Sequence, residues 1–172
     1  MKIITTPMCE EIVRLAGISD YVVNRHPDEE EGDLAILLSE SKVEMNSLAI
    51  KLNTSSQIFE SIREVSKIAE NDLSDEDIRG FFRGYELSCK YLDCDFNRDV
   101  NVKVYSRFLR DIVLDMGFNV VEDGYDYVVY PDYLRQKVVE SDNLVEIPSH
   151  GFASKNPFER IEARYAILEN LI

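Results

Sequence analysis

The sequence predicts an α/β protein, with a small parallel-sheet N-terminal lobe packed on an α+β C-terminal half. Three observations predict it. Short apolar runs alternate with helical patterns through the first seventy residues, the rhythm of strand–helix–strand units with right-handed crossovers. A polar, cap-rich stretch at 73–77 then marks a boundary. Beyond it two helical patterns precede what reads as a hairpin. The predicted lobes are a Rossmann-like α/β lobe at 1–72 and an α+β lobe at 73–172 that carries the hairpin and a C-terminal helix.

In chain order, Lys2–Thr6 reads as a strand and Pro7–Gly17 as a helix closed by glycine. Asp20–Asn24 and Asp33–Ser39 read as further strands, separated by an acidic loop at 25–33. Leu48–Leu52 is a fourth strand. The Asn53-Thr54-Ser55-Ser56 cluster then supplies an N-cap. Ile58, Ile62, Val65 and Ala69 follow at helical spacing. Ser74 and Asp77 match a variant capping box. Ile78, Phe81, Phe82, Tyr85, Cys89 and Leu92 share one helical face. A polar segment, 93–101, separates this helix from one over Lys103–Met116, which Gly117 closes. Asn119–Glu122 and Tyr125–Tyr130 flank Asp123-Gly124, a favoured two-residue hairpin turn. Pro131-Asp132 opens a short helix to about Glu140, and 144–156 reads as a loop. Asn156-Pro157 opens the last helix, whose apolar face is Phe158, Ile161, Tyr165, Leu168 and Ile172. No long repeat or low-complexity tract is visible.

The chain has 172 residues and is 45% hydrophobic, enough for one medium core or two small ones. Its formal charge is −14, with 7 Lys/Arg against 14 Asp/Glu in residues 1–73 and 12 against 19 in residues 74–172. Neither half is a basic module, so no nucleic-acid partner is expected. No apolar run reaches the roughly 20 residues of a membrane helix, and no membrane partner is expected. The N-terminus lacks the pattern of a signal peptide, and the expected location is cytoplasmic. Cys9, Cys89 and Cys94 lack zinc-ribbon spacing, so no metal site is expected. The residues name no cofactor.

The first seventy residues resemble the first lobe of the class III periplasmic binding proteins, which capture cobalamin, siderophores and metals. Ile3-Ile4-Thr5-Thr6-Pro7, Glu10-Glu11-Ile12-Val13 and Leu15–Val23 carry the likeness, with Asp33–Ile36 and Ile58–Val65. The resemblance implies a parallel-sheet lobe. The family's long spanning helix, second lobe and export signal have no visible counterpart. Within residues 75–130, Phe81–Cys89 resembles the helix of a degenerate LAGLIDADG-type half-domain. Leu87–Cys89 occupy the place where that fold's nucleases carry a metal-binding acid, so the resemblance implies no DNA cleavage.

Ligands of parallel α/β sheets gather at the strand ends. That singles out Thr5, Thr6 and Pro7, then Ser39, Glu40 and Ser41, then Asn53, Thr54 and Ser55 as ligand-binding candidates. The same residue types also serve as plain caps and turns. His26 beside Asp28, Glu29, Glu30 and Glu31 offers donors for a divalent cation or simply a solvated acidic loop. His150 is the candidate acid–base residue, with Glu40 as its carboxylate. Cys9, in the first turn of a helix, is a candidate reactive thiol or a small core residue. Tyr21, Tyr125, Tyr127, Tyr130 and Tyr133 offer an aromatic surface or half-buried sheet packing.

The expected function is a binding or regulatory protein with a small-molecule or partner cleft at the first lobe's strand ends. The alternatives are a small enzyme using His150 and Glu40, and a structural subunit that forms a homo-oligomer through the tyrosine hairpin or the C-terminal helix.

Overall fold

A computed structural model describes residues 1–149, 151 and 153–172. The chain divides into two units, Met1–Gly84 with Lys155–Pro157, and Tyr85–Ser154 with Phe158–Ile172. The protein is α/β, with two small parallel four-stranded sheets.

In the first unit, strands β1 (Ile3–Thr5), β2 (Tyr21–Val23), β3 (Leu34–Leu38) and β4 (Ser47–Ile50) lie in the order β2-β1-β3-β4. Every pairing is parallel, with Ile4 opposite Val22 on one side and Ala35 on the other. A strand covered on both faces needs consecutive apolar residues rather than alternating ones. Ile3 and Ile4 in β1 and Ala35, Ile36 and Leu37 in β3 are all buried. Helix α1 (Glu10–Leu15) crosses from β1 to β2. Helix α2 (Ser55–Ile68) follows β4 and begins at Thr54, whose side chain accepts the Gln57 N–H at 3.2 Å. Its buried face is Ile58, Phe59, Ile62 and Val65. Helix α3 (Asp75–Gly80) starts on the Ser74/Asp77 capping box read from the sequence.

The second unit repeats this plan. Helix α4 (Glu86–Asp93) leads to β5 (Asn101–Val104), α5 (Arg107–Asp115), β6 (Asn119–Val120), β7 (Tyr127–Pro131), β8 (Leu144–Ile147) and α6 (Pro157–Glu169). The strand order is β6-β5-β7-β8, again all parallel. In this order β5 stands where β1 does and β7 where β3 does. A second lobe of the first lobe's topology is therefore present, although the sequence shows no repeat.

This corrects several expectations. The hairpin does not form: β6 and β7 each pair with β5, not with each other. Asp123-Gly124 sits in the connection between them. The Asp126 carboxylate there accepts the Asn101 N–H at 2.8 Å and so ties this connection to the start of β5. The run Val128-Val129-Tyr130 is buried throughout, as a central parallel strand demands. Tyr130 thus lies in the core, while Tyr133 is 63% exposed, so the tyrosines share no single face. The helix expected from Lys103 is preceded by β5 and starts at Ser106, whose hydroxyl accepts the Leu109 N–H. The helical face over 78–92 is broken between α3 and α4, where Gly84 adopts φ +91°. The short helix after Pro131 is a 3-10 turn, Asp132–Lys137, and 144–147 is a strand. Of the apolar face read on the last helix, Phe158, Ile161, Tyr165 and Leu168 are buried, while Ile172, beyond the end of α6, is 54% exposed.

Several polar groups in the second unit have specific partners, while the buried Arg164 Nη1 makes no hydrogen bond. The Glu162 carboxylate on α6 accepts the Leu87 and Ser88 N–H groups at 3.0 and 2.8 Å, placing a negative charge on the first turn of α4. Arg160 and Arg164 on the same helix are 1% exposed. Arg164 donates twice to the Pro148 carbonyl, at 3.2 and 3.0 Å, and lies over the Phe108 ring. Burial, with Arg160 alongside, pulls the Arg164 guanidinium down to about 9 despite the nearby Asp132. Cys9 is buried, Cys89 half-buried and Cys94 exposed, and no disulfide joins them. Among the described residues, no helix is long and apolar enough to cross a membrane.

Both crossover helices end on a glycine in the left-handed region, Gly17 at φ +94° and Gly117 at φ +82°. A Cβ at Gly17 would come within 2.4 Å of the Asn71 Nδ2, a side-chain atom that donates to the Ala16 carbonyl. At Gly117 it would come within 2.2 Å of the Phe96 carbonyl oxygen, which is backbone. Gly17→Ala is therefore expected to cost about 1–3 kcal/mol, and Gly117→Ala more, as read by urea denaturation. Equal costs would show that the Phe96 backbone yields as readily as the Asn71 side chain.

Burial pushes the Asp115 carboxyl up to about 6; the Tyr165 hydroxyl, donating at 2.6 Å, opposes the rise, and Asp95 and Asp111 add to it. Between the ordinary carboxyl range near pH 4 and about pH 6, the folded chain keeps a proton that the unfolded chain has lost. Stability from this group is thus highest below about pH 4 and falls as pH rises from there to about 6. Asp115→Asn keeps an acceptor for Tyr165 and removes the charge. It is expected to stabilise the protein at pH 7 by about 1–2 kcal/mol after allowance for solvent screening, with the gain fading as pH falls from about 6 and gone below about pH 4. Thermal melts across that range would read it, and a pH-independent difference would refute the assignment.

Candidate functional site

In a sheet of order β2-β1-β3-β4, the connections after β1 and β3 leave the sheet in opposite directions. A crevice opens at that switch point, outside the carboxyl ends of the strands. The first unit has a cavity of about 260 Å³ lined by the segments that follow its first three strands. Thr6 comes from the end of β1, Arg25, His26, Pro27 and Asp28 from the loop after β2, and Ser41, Lys42 and Val43 from the loop after β3.

Short-range bonds shape these loops. The Thr6 carbonyl accepts the Cys9 and Glu10 N–H groups, both at 3.0 Å, which turns the chain from β1 into α1. Asn24 donates its N–H to the Thr5 carbonyl, accepts the His26 N–H at 2.8 Å, and donates its side-chain amide to Glu30 at 3.0 Å. His26 is thus held at the start of a 3-10 turn, Pro27–Glu29, in which Pro27 is buried. Asp28 accepts the Glu44 N–H at 3.0 Å, which fastens the loop after β2 to the loop after β3. Ser41 donates its N–H to the Leu38 carbonyl, closing the turn that ends β3.

Of the ligand-binding candidates at the strand ends, the cavity joins Thr6 and Ser41. Thr5 is fully buried, and its hydroxyl donates to the Ile36 carbonyl at 2.9 Å, bracing β1 against β3. Pro7 borders a separate depression of about 190 Å³ with Glu10, Glu11 and Arg14, where Arg14 forms an ion pair with Glu11 at 2.6 Å. Ser39 and Glu40 are exposed, and the Ser39 N–H donates to the Ile50 carbonyl. Asn53, Thr54 and Ser55 are buried at the start of α2, where Thr54 is the cap and the Asn53 N–H donates to the Gln57 side chain at 3.0 Å. They do not line the cavity. His150 lies outside the described residues.

Sequence reasoning missed Arg25 and Lys42 as site residues. The order of the strands is the signal that finds them, because each closely follows a strand end beside the switch point. His26 and Asp28 reach the cavity, but the run Glu29–Glu31 does not line it. Among the described residues, no group of three or more His, Cys, Asp or Glu is arranged to hold a metal ion.

No protein-family model matches the chain, and no curated protein matches it in sequence. Similarity appears in solved structures. The solute-binding protein FpvC of P. aeruginosa, solved in complex with a Ni2+ ion, superposes with a TM-score of 0.51 at 14% identity, over 99% of this chain and 97% of that one. Nitrogenase Cp1 gives 0.44 at 9% identity over 99% of this chain and 40% of that one. The first likeness is one of fold.

The Asp28 to Glu44 bond holds two walls of the cavity together. Removing a bond worth about 1 kcal/mol by Asp28→Ala is expected to raise hydrogen exchange at the Glu44 amide about fivefold. An unchanged rate would show that the two loops are held by other contacts.

Proposed function

We propose that this chain is a ligand-binding protein whose small ligand occupies the cavity at the carboxyl ends of β1, β2 and β3. The observation that carries the reading is the position of the cavity. It opens at the β1/β3 switch point, where open α/β sheets receive ligands. The fold likeness to a solute-binding protein supports the same reading. At about 260 Å³ the cavity is smaller than the roughly 300–1,000 Å³ of drug-sized sites, so the ligand, or the part of it that enters, is compact.

The two halves act as separate lobes in this reading, the first holding the site and the second repeating its topology. No observation favours the enzyme alternative. Glu40 is exposed and does not line the cavity.

A thermal-shift screen of the full chain against compact metabolites tests the proposal. A ligand at one hundred times its dissociation constant stabilises by about 2.7 kcal/mol, roughly 5–10 °C for a chain of this size. Ser41→Trp, an exposed position at the mouth of the cavity, is expected to abolish that shift while leaving the melting of the free protein unchanged. A shift that survives Ser41→Trp would place the ligand elsewhere.

A further inference from the structure

The lining of the cavity has a charge character opposite to that of the chain. The protein carries 33 Asp/Glu against 19 Lys/Arg, yet the cavity is lined by two basic side chains, Arg25 and Lys42, and one acid, Asp28. Asp28 is already engaged by the Glu44 N–H. Arg25 and Lys42 are both exposed. Among the described residues, neither side chain makes an ion pair or a hydrogen bond, whereas Arg14, Arg63, Lys90, Lys103 and Arg135 each face a carboxylate within 4 Å. The remaining polar lining is Thr6, Ser41 and His26. Hydroxyl groups donate readily to anionic oxygens, and a guanidinium offers a two-pronged match to phosphate or carboxylate.

Resting on the reading above, we infer that the ligand is recognised through a compact oxyanion, a phosphate or a carboxylate, held between Arg25 and Lys42 with Thr6 and Ser41 at its side. Arg25 supplies the planar, directional contact. Lys42 supplies a mobile point charge from the opposite loop, so one group bridges the segments after β2 and β3. Val43 and Pro27 supply the apolar part of the lining.

Titration calorimetry and thermal melts of the full chain at about 0.15 M salt, where the Debye length is about 8 Å, test this with inorganic phosphate, malonate and a panel of uncharged sugars and nucleosides. The expected result is saturable binding of phosphate or of malonate, weakened at least tenfold in Arg25→Ala/Lys42→Ala and lost in Arg25→Glu/Lys42→Glu. Binding of phosphate alone assigns a phosphate, and binding of malonate alone assigns a carboxylate. Both substituted side chains are exposed, so the free variants are expected to melt as the parent does. Anion binding that is unchanged in the double alanine variant overturns the inference. So does an uncharged ligand whose binding is lost in Ser41→Trp but unaffected in Arg25→Ala/Lys42→Ala, a result that leaves the ligand-binding reading standing. If no probe binds, charged or uncharged, both fall.

Discussion

Parallel strands cannot be joined by a tight turn, because the chain must return to the same end of the sheet before it can pair again. Each four-stranded sheet of this protein is built wholly from such pairings, and much of the rest of the structure follows from that requirement. The crossover sets where α1 and α5 run and why each must stop abruptly on a left-handed glycine. It makes the central strands continuous apolar runs. It also gathers the carboxyl ends of all the strands in a sheet along one edge, so the polar residues that follow the strands become neighbours.

The two sheets share a plan and use that edge differently. In the first unit the edge is open. Thr6, Arg25 and Ser41 surround a cavity, and its cations face solvent. In the second, the corresponding residues are drawn into packing. Ser106 caps α5, Asp132 accepts the Ser149 N–H, and Pro148 takes two hydrogen bonds from the buried Arg164. A buried guanidinium is costly to desolvate, and the stacked Phe108 ring and the Pro148 carbonyl offset part of that cost. The same topology thus carries an open cavity at this edge in one lobe, and in the other, edge residues that hydrogen-bond within their own lobe.

Much of the first unit is legible in the sequence because its local signals agree with its tertiary structure. Ile3-Ile4, Gly17, the Thr54 cap and the Ser74/Asp77 box each mean locally what they become globally. The second unit is harder because its local and global signals compete. Asp123-Gly124 is a strong hairpin turn, yet pairing with β5 on both of its sides outweighs an antiparallel ladder between β6 and β7. The alternation Val100, Val102, Val104 marks β5, but it runs directly into the helical spacing that begins at Ser106. The site is half legible for a related reason. Thr6 and Ser41 follow from strand ends alone, whereas Arg25 and Lys42 matter only once the strand order is known.

The first unit is not a single stretch of chain, since it takes in Lys155–Pro157 as well as Met1–Gly84. During synthesis its last segment emerges only after nearly all of the second unit has been made. Contacts so distant in sequence slow folding, because the intervening loop must be closed before they form. The contacts of these three residues with the first unit therefore form late, when all four strands of its sheet have already been made.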